Sequence, residues 1–320
     1  MEFGFETTGA EIVNHFKESV VGKTFLITGP SPGGIGAETA SSLAAASPKH
    51  LILAGRSQEK IHPLIDQFQR DHPHVKVTFV QLNLGNQNSI RQAVEEVKTV
   101  LSGDGDKIDV LILNAAIMAA PYALLENGLE SQFATNHLGH FLFTNLLLKA
   151  DLIGSRIVVV SSSVTHRRLD SLMHHLKDLS YHQGKTYDPM TAYTVSKACN
   201  LLYAKRLAKM LEKKKISVFS LNPGSIRTNL QGYLTEEVIA NTVEAMKADN
   251  PNWTVPVHKT LQQGCATQLR AALDPSLVSE SGAYLDDCQV VTLPEHKDAE
   301  AYIDEVWALS EKLVGEEFSF

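Results

Sequence analysis

Short, continuously apolar runs recur along this chain, and each is followed by a stretch with helical spacing. That alternation restricts the fold more than any other feature. The runs lie at residues 24–28, 51–54, 75–80, 110–113, 157–160 and 217–221. They are dominated by Val, Ile, Leu and Phe, and most lack the polar–apolar alternation of a half-exposed sheet. That is the pattern of strands covered on both faces. Helical patterns lie between them at 35–46, from Ser57 to Arg70, at 89–101, 129–148 and 191–213. Right-handed crossovers between such strands predict an α/β fold, a single-domain Rossmann-type doubly wound parallel sheet with helices on both faces.

Composition removes several classes of function. A net charge of −7 without a basic stripe argues against nucleic acid as a partner. The longest apolar stretch, 108–125, is broken by Asp109, Asn114 and Pro121, so it reads as a buried strand and loop and predicts no membrane segment. Residues 1–10 carry two Glu and no basic residue, unlike a signal or transit peptide. Cys199, Cys265 and Cys288 are far apart and odd in number, which suggests reduced thiols and a cytoplasmic location. His174 and His175 are adjacent and point apart on a helix, so no metal is expected.

The first apolar run ends in Thr28-Gly29-Pro30-Ser31-Pro32-Gly33-Gly34-Ile35-Gly36. A glycine-rich loop between a strand and a helix suits a pyrophosphate, which the free N–H groups and dipole of the helix N-terminus attract. Gly29 allows the tight turn; Gly34 and Gly36 allow close backbone approach. Pro30 and Pro32 have no N–H, so Ser31, Gly33, Gly34 and Ile35 must supply the donors. Arg56 follows the second strand, where an acidic residue would hold a free ribose 2′-hydroxyl. A guanidinium there can instead hold a 2′-phosphate, which favours NADP(H). Residues 1–320 then form one NAD(P)-binding domain, with 1–22 an N-terminal extension and 225–280 a substrate-side lid beyond the strand ends.

Tyr-x-x-x-Lys occurs twice, at Tyr181–Lys185 and Tyr193–Lys197. The first contains Gly184 and precedes Pro189, so a helix there is unfavourable. The second heads a good helical pattern, where residues four apart share a face. A free phenol has a pKa of about 10, too high for an efficient base near neutrality; a nearby ammonium and the positive nicotinamide of an oxidised cofactor both favour the phenolate.

With Asn114-Ala115-Ala116, Asn136-His137-Leu138-Gly139-His140-Phe141, Ser161-Ser162 and Pro223-Gly224 with Thr228-Asn229, these motifs make six ordered elements between Gly22 and Leu230. In them the chain resembles the short-chain dehydrogenase/reductase family, most nearly its retinol-dehydrogenase and WW-domain-oxidoreductase branch, fungal members included. The resemblance implies a catalytic set of Asn136, Ser162, Tyr193 and Lys197. Tyr193 would be the general acid/base, Lys197 would assist it and bind the nicotinamide ribose, Ser162 would hold the substrate oxygen, and Asn136 would complete a proton relay. Ser163 stays open as an alternative to Ser162.

It further implies that the cofactor is bound by Gly29, Ser31, Gly33, Gly34, Ile35, Gly36, Arg56, Asn83, Leu84, Asn114, Ala115, Tyr193, Lys197, Pro223, Gly224, Ile226 and Thr228. Two departures stand out. Gly29 to Gly34 is one residue longer than the usual spacing, and Asn83 replaces a frequent Asp. Residues 165–189 form an extra segment that could wall the substrate. Homo-oligomers are common in such a family. The reading is an NADP(H)-dependent oxidoreductase that interconverts carbonyl and alcohol on a small or medium hydrophobic molecule. A non-catalytic NADP(H) sensor or scaffold, or a lyase, isomerase or cyclase on the same fold, are the alternatives.

Overall fold

The computed structural model describes residues 2–101, 103, 105–163, 165, 169–293 and 299–320. In chain order the elements are α1 (Gly9–His15), β1 (Thr24–Thr28), α2 (Ile35–Ala44), β2 (His50–Gly55), α3 (Gln58–Asp71), β3 (Lys76–Gln81), α4 (Gln87–Val100) and β4 (Ile108–Leu113). Then come α5 (Ser131–Phe133), α6 (Gly139–Lys149), β5 (Ile153–Val160), α7 (Leu169–Met173), α8 (Pro189–Leu211), β6 (Ser217–Leu221) and β7 (Ser225–Ile226). The chain closes with α9 (Glu236–Asp249), β8 (His258–Lys259), α10 (Leu261–Leu273), β9 (Tyr284–Asp286), β10 (Gln289–Val291) and α11 (Ala299–Val314).

Eight strands form one sheet in the order β10-β9-β6-β5-β4-β1-β2-β3. All neighbours are parallel except β9 and β10. The order reverses between β1 and β4, where such sheets open a ligand crevice at the carboxyl ends of their strands. Every residue of β1, β2 and β6 is buried, as their unbroken apolar runs required. Two apolar clusters lie on the sheet. One includes residues of α4, α6, α8 and α11, the other residues of α1, α2, α3 and α10.

Four departures from the sequence expectation have local causes. The helix expected over 129–148 starts at Ser131, because the Glu130 carboxylate accepts the N–H groups of Gln132 and Phe133, each at 2.8 Å. Its turn over Ala134–Leu138 is widened, so the Gly139 N–H reaches back five residues to the Ala134 carbonyl. β10 went unseen because the turn before it, Asp287-Cys288, is left-handed (φ 45° and 61°) without the glycine or asparagine that signals a hairpin. Helix α10 falls in the 225–280 stretch, yet it is part of the body. Its polar residues blur the helical pattern because they are buried in contacts: Gln268 donates to the Thr39 hydroxyl, and Gly264 lets the helix approach Ile226 and Ile35. Arg156 of β5, itself buried, donates to the carbonyls of Ala271 and Asp274 at 3.0 Å and fixes the end of α10 to the sheet.

Candidate active site

The site gathers at the carboxyl ends of β1, β4, β5 and β6. Gly29 follows β1 with φ +67°, and a Cβ there would fall 2.8 Å from the Ala115 Cα and Cβ. A Cβ on Gly36 would fall 2.4 Å from Asn114 Nδ2 and 2.8 Å from the Gly29 carbonyl. Both positions therefore exclude a side chain. Gly33 is also left-handed, at φ +76°, and Ser31 is exposed. Helix α2 opens at Ile35 behind Gly34, which gives it no side-chain cap. By contrast α3, α4, α8, α9 and α10 are capped by Ser57, Asn86, Asp188, Thr235 and Thr260. An uncapped helix N-terminus over a glycine cradle fits a bound pyrophosphate. The longer loop has an effect: Gly34 donates its N–H to the Ser31 carbonyl at 3.0 Å. That donor is engaged within the loop, leaving Ser31, Gly33 and Ile35 from the expected set.

The crevice floor is knotted by side chains that the sequence reading assigned to the cofactor or overlooked. Thr28 Oγ1 accepts the N–H groups of Asn114 and Ala115, both at 3.0 Å. Asn114 Nδ2 donates to the carbonyls of Thr28 (2.9 Å) and Gly29 (3.2 Å). The Asn114 side chain thus ties β4 to β1. His140, on α6, holds the same knot from below. Its Nδ1 donates to the Asn136 carbonyl (2.9 Å), which leaves Nε2 to accept from the Thr28 hydroxyl (3.0 Å). Burial keeps this imidazole neutral, its pKa pushed down to about 3.

Asn136 is fully buried, and the widened turn carries it. Its side chain accepts the Ile117 N–H and donates to the Ile117 carbonyl, both at 2.8 Å, and donates to Ser196 Oγ at 3.0 Å. Ser196 in turn donates to the Tyr193 carbonyl at 2.7 Å.

Tyr193 and Lys197 lie one turn apart on α8, as the helical pattern required. Both are buried, and the Lys197 ammonium stands 5.9 Å from the centre of the Tyr193 ring. Lys197 Nζ donates to the Val160 carbonyl at 3.0 Å, at the end of β5. Burial dominates both groups. It pushes the Tyr193 phenol above its ordinary value and the Lys197 ammonium down to about 7. Burial thus acts on the phenol in the direction opposite to a neighbouring positive charge. The Tyr181 pair is not helical: Tyr181, His182, Gln183 and Gly184 are all left-handed (φ 51°, 51°, 57° and 83°).

Of the serines after β5, Ser161 donates to the Lys197 carbonyl at 2.8 Å, while Ser162 and Ser163 are partly exposed. Arg56 is exposed beyond β2, and its carbonyl accepts from Gln81 Nε2 at 2.8 Å. Asn83 turns its Oδ1 to the Gly85 N–H (3.1 Å), and Leu84 is buried beneath Gly139. Gly224 has φ +95°, and Ile226 pairs with Lys259 between β7 and β8. Beyond Thr228, Asn229 Nδ2 donates to the Pro32 carbonyl at 3.0 Å, which joins the loop after β6 to the glycine loop. In the 165–189 segment, residues 166–168 lie outside the described residues. Among the described residues no cluster could hold a metal ion, and no helix is long and apolar enough to cross a membrane.

A doubly wound sheet with a phosphate-type cradle beside a buried Tyr–Lys pair defines an oxidoreductase of the dinucleotide-binding class. Residues 23–174 match the family model described as short chain dehydrogenase. A WW domain-containing oxidoreductase of Drosophila melanogaster is 33% identical over 304 residues, covering 92% of this chain and 69% of the relative. Retinol dehydrogenase 14 of Mus musculus is 31% identical over 307 residues, covering 92% and 86%. An uncharacterised protein of Mycobacterium paratuberculosis superposes with a TM-score of 0.66 at 28% identity, covering 94% and 96%. The chain belongs to the short-chain dehydrogenase/reductase family, whose members bind nicotinamide cofactors.

Proposed function

We propose that this protein is an NADP(H)-dependent enzyme that interconverts a carbonyl and an alcohol on a small or medium hydrophobic molecule. The observation that carries the reading is the buried pair Tyr193 and Lys197, on one face of α8 and pinned to the end of β5. A sensor or scaffold has no need of a buried phenol and amine in the crevice.

Gly29, Ser31, Gly33, Ile35 and Gly36 would hold the pyrophosphate, and Arg56 the 2′-phosphate. Asn83 and Leu84 would lie by the adenine, Ala115 along the groove, and Pro223, Gly224, Ile226 and Thr228 by the nicotinamide. When bound, the cofactor supplies or accepts a hydride at the substrate carbon. The chain's own residues manage the oxygen and its proton. Because burial holds Tyr193 as the neutral phenol, it is ready to donate its proton to a carbonyl oxygen during reduction. Ser162 Oγ donates a second hydrogen bond to that oxygen and stabilises its developing charge. Lys197, with its pKa at about 7, can give up and regain a proton near neutrality, so it can help return the one Tyr193 loses. Asn136 contributes chiefly as a brace, since its amide is engaged with Ile117 and Ser196.

The substrate side would be formed by residues 229–257 and 169–189. The former segment exposes Tyr233, Ile239, Val255 and Val257, which favours an apolar substrate. The retinol dehydrogenase relative, whose name specifies an apolar alcohol, points the same way. Three free, buried cysteines suit a cytoplasmic setting. The test is NADPH consumption with a panel of hydrophobic ketones and aldehydes, read at the nicotinamide absorbance. Turnover with NADPH that exceeds turnover with NADH supports the reading. Conversion of substrate without any absorbance change refutes it.

A further inference from the structure

Lys259 lies outside every motif considered above, yet its side chain is only 1% exposed. An ammonium is costly to bury and persists only where it is paired. Its Nζ stands 2.6 Å from Asp287 Oδ1 in the β9–β10 turn and 5.0 Å from the centre of the Phe5 ring in the N-terminal extension. The stem of the same side chain runs along Gly224. A Cβ on Gly224 would fall 2.8 Å from Lys259 Cδ and 3.1 Å from Cε. Lys259 therefore fills the space beside the loop that follows β6 and links that loop to two distant segments.

The backbone around it is arranged for this contact. Gly224 takes φ +95°, which L side chains rarely adopt, and so frees the face that Lys259 covers. Strand β8 splints the same loop: Ser225 and Ile226 pair with His258 and Lys259, and Ser225 Oγ lies 3.0 Å from His258 Nδ1. Asp287, the ion-pair partner, sits in the left-handed turn described above. Such strain persists only where the surroundings over-determine it.

We infer that Lys259 is a positioning residue for the nicotinamide half of the cofactor, acting through the 223–228 loop. The inference rests on the NADP(H) reading of the site. Without the ammonium, Asp287 and Gly224 lose their common link and the loop is free to shift. The contacts of Lys259 named above lie at Gly224, Asp287 and Phe5, and its loop meets the glycine loop through the Asn229–Pro32 bond, beyond Thr228, so adenosine-end binding should sense the change far less.

The experiment is calorimetric titration of NADP+ and of 2′,5′-ADP, which carries only the adenosine end, against the full chain. Lys259→Met should weaken NADP+ by about tenfold or more, equivalent to about 1.4 kcal/mol of binding free energy. It should leave 2′,5′-ADP within about twofold, and Lys259→Arg should restore part of the NADP+ affinity. Equal weakening of both ligands, or of neither, overturns the inference while the cofactor reading stands. Failure of the unsubstituted protein to bind NADP+ overturns both. Should Lys259→Met not fold, Asp287→Asn decides, since Asp287 is 46% exposed: weakened NADP+ alone is the expected result, and unchanged NADP+ affinity overturns the inference.

Discussion

Ser161 Oγ donates to the Lys197 carbonyl at 2.8 Å, so the end of β5 is pinned to the helix that carries Tyr193. Lys197 returns the contact through its ammonium, which donates to the Val160 carbonyl at 3.0 Å. The two bonds close a ring between strand and helix that sets the phenol's height over the crevice. They also divide the labour among three adjacent serines, because the hydroxyl of Ser161 is engaged inside the fold.

Ser162→Ala should lower kcat by roughly a hundredfold or more, the usual cost of one lost donor to a developing oxyanion, with an unchanged denaturation midpoint. Ser161→Ala should instead lower stability by about 1 kcal/mol, the value of one hydrogen bond. Parallel steady-state kinetics and urea titrations separate the two. A large kcat loss in Ser163→Ala with a normal Ser162→Ala would move the role one residue on.

Arg56→Ala should weaken NADPH by more than tenfold, because hydrogen bonds to charged groups contribute about 1.5–3 kcal/mol. NADH should be almost unaffected. Fluorescence titration of each reduced cofactor measures both constants, and equal losses would remove the 2′-phosphate assignment.

Gly29→Ala tests the cradle. The new methyl would meet Ala115 at 2.8 Å on a backbone of φ +67°. Strain and clash together should cost at least about 1–2 kcal/mol of stability. NADPH binding should fall beyond detection, as measured by the same titration. Retained affinity would mean that the phosphates bind elsewhere.

Much of this was legible in the residues. The strands announced themselves because a parallel sheet buries both faces, and the Tyr193 pair was separable from Tyr181 because only one of them could be helical. The bracing network was not legible. Thr28 bonds backbone N–H groups of Asn114 and Ala115, and its hydroxyl meets His140, while Ser196 meets Asn136; each of these partners is distant in sequence, and no spacing encodes them. Asn114 was visible as a motif, but its main contacts are with Thr28 and Gly29. Helix α10 read only as a weak helix because Gly264, Thr267 and Gln268 are buried among its apolar residues Cys265, Leu269, Ala272 and Leu273. The upward push on the Tyr193 phenol was not legible, because it comes from burial, which only the fold reveals.

The buried histidines make stability depend on acidity. Burial pushes His137 down to about 4 and His140 to about 3, from 6.5. Between those values and 6.5 the unfolded chain binds protons that the native state refuses. Stability is therefore fully present above pH 6.5 and falls as pH drops towards 4, by about 1.4 kcal/mol per pH unit for each histidine. Urea midpoints at pH 7 and pH 5 measure the slope. His137→Gln should make it shallower by one histidine's share, since His140 and His50 keep theirs, and an unchanged slope would show that His137 does not contribute to the acid limit.

The central claim is that the Tyr193 hydroxyl moves the substrate proton while the rest of the pocket binds the cofactor. Tyr193→Phe removes one oxygen from a buried ring and leaves its packing intact. NADPH oxidation with a reducible carbonyl, measured beside NADPH affinity in the same variant, tests the claim most directly. The account predicts turnover lost by at least about a hundredfold, with affinity nearly unchanged. Turnover retained in Tyr193→Phe would contradict it.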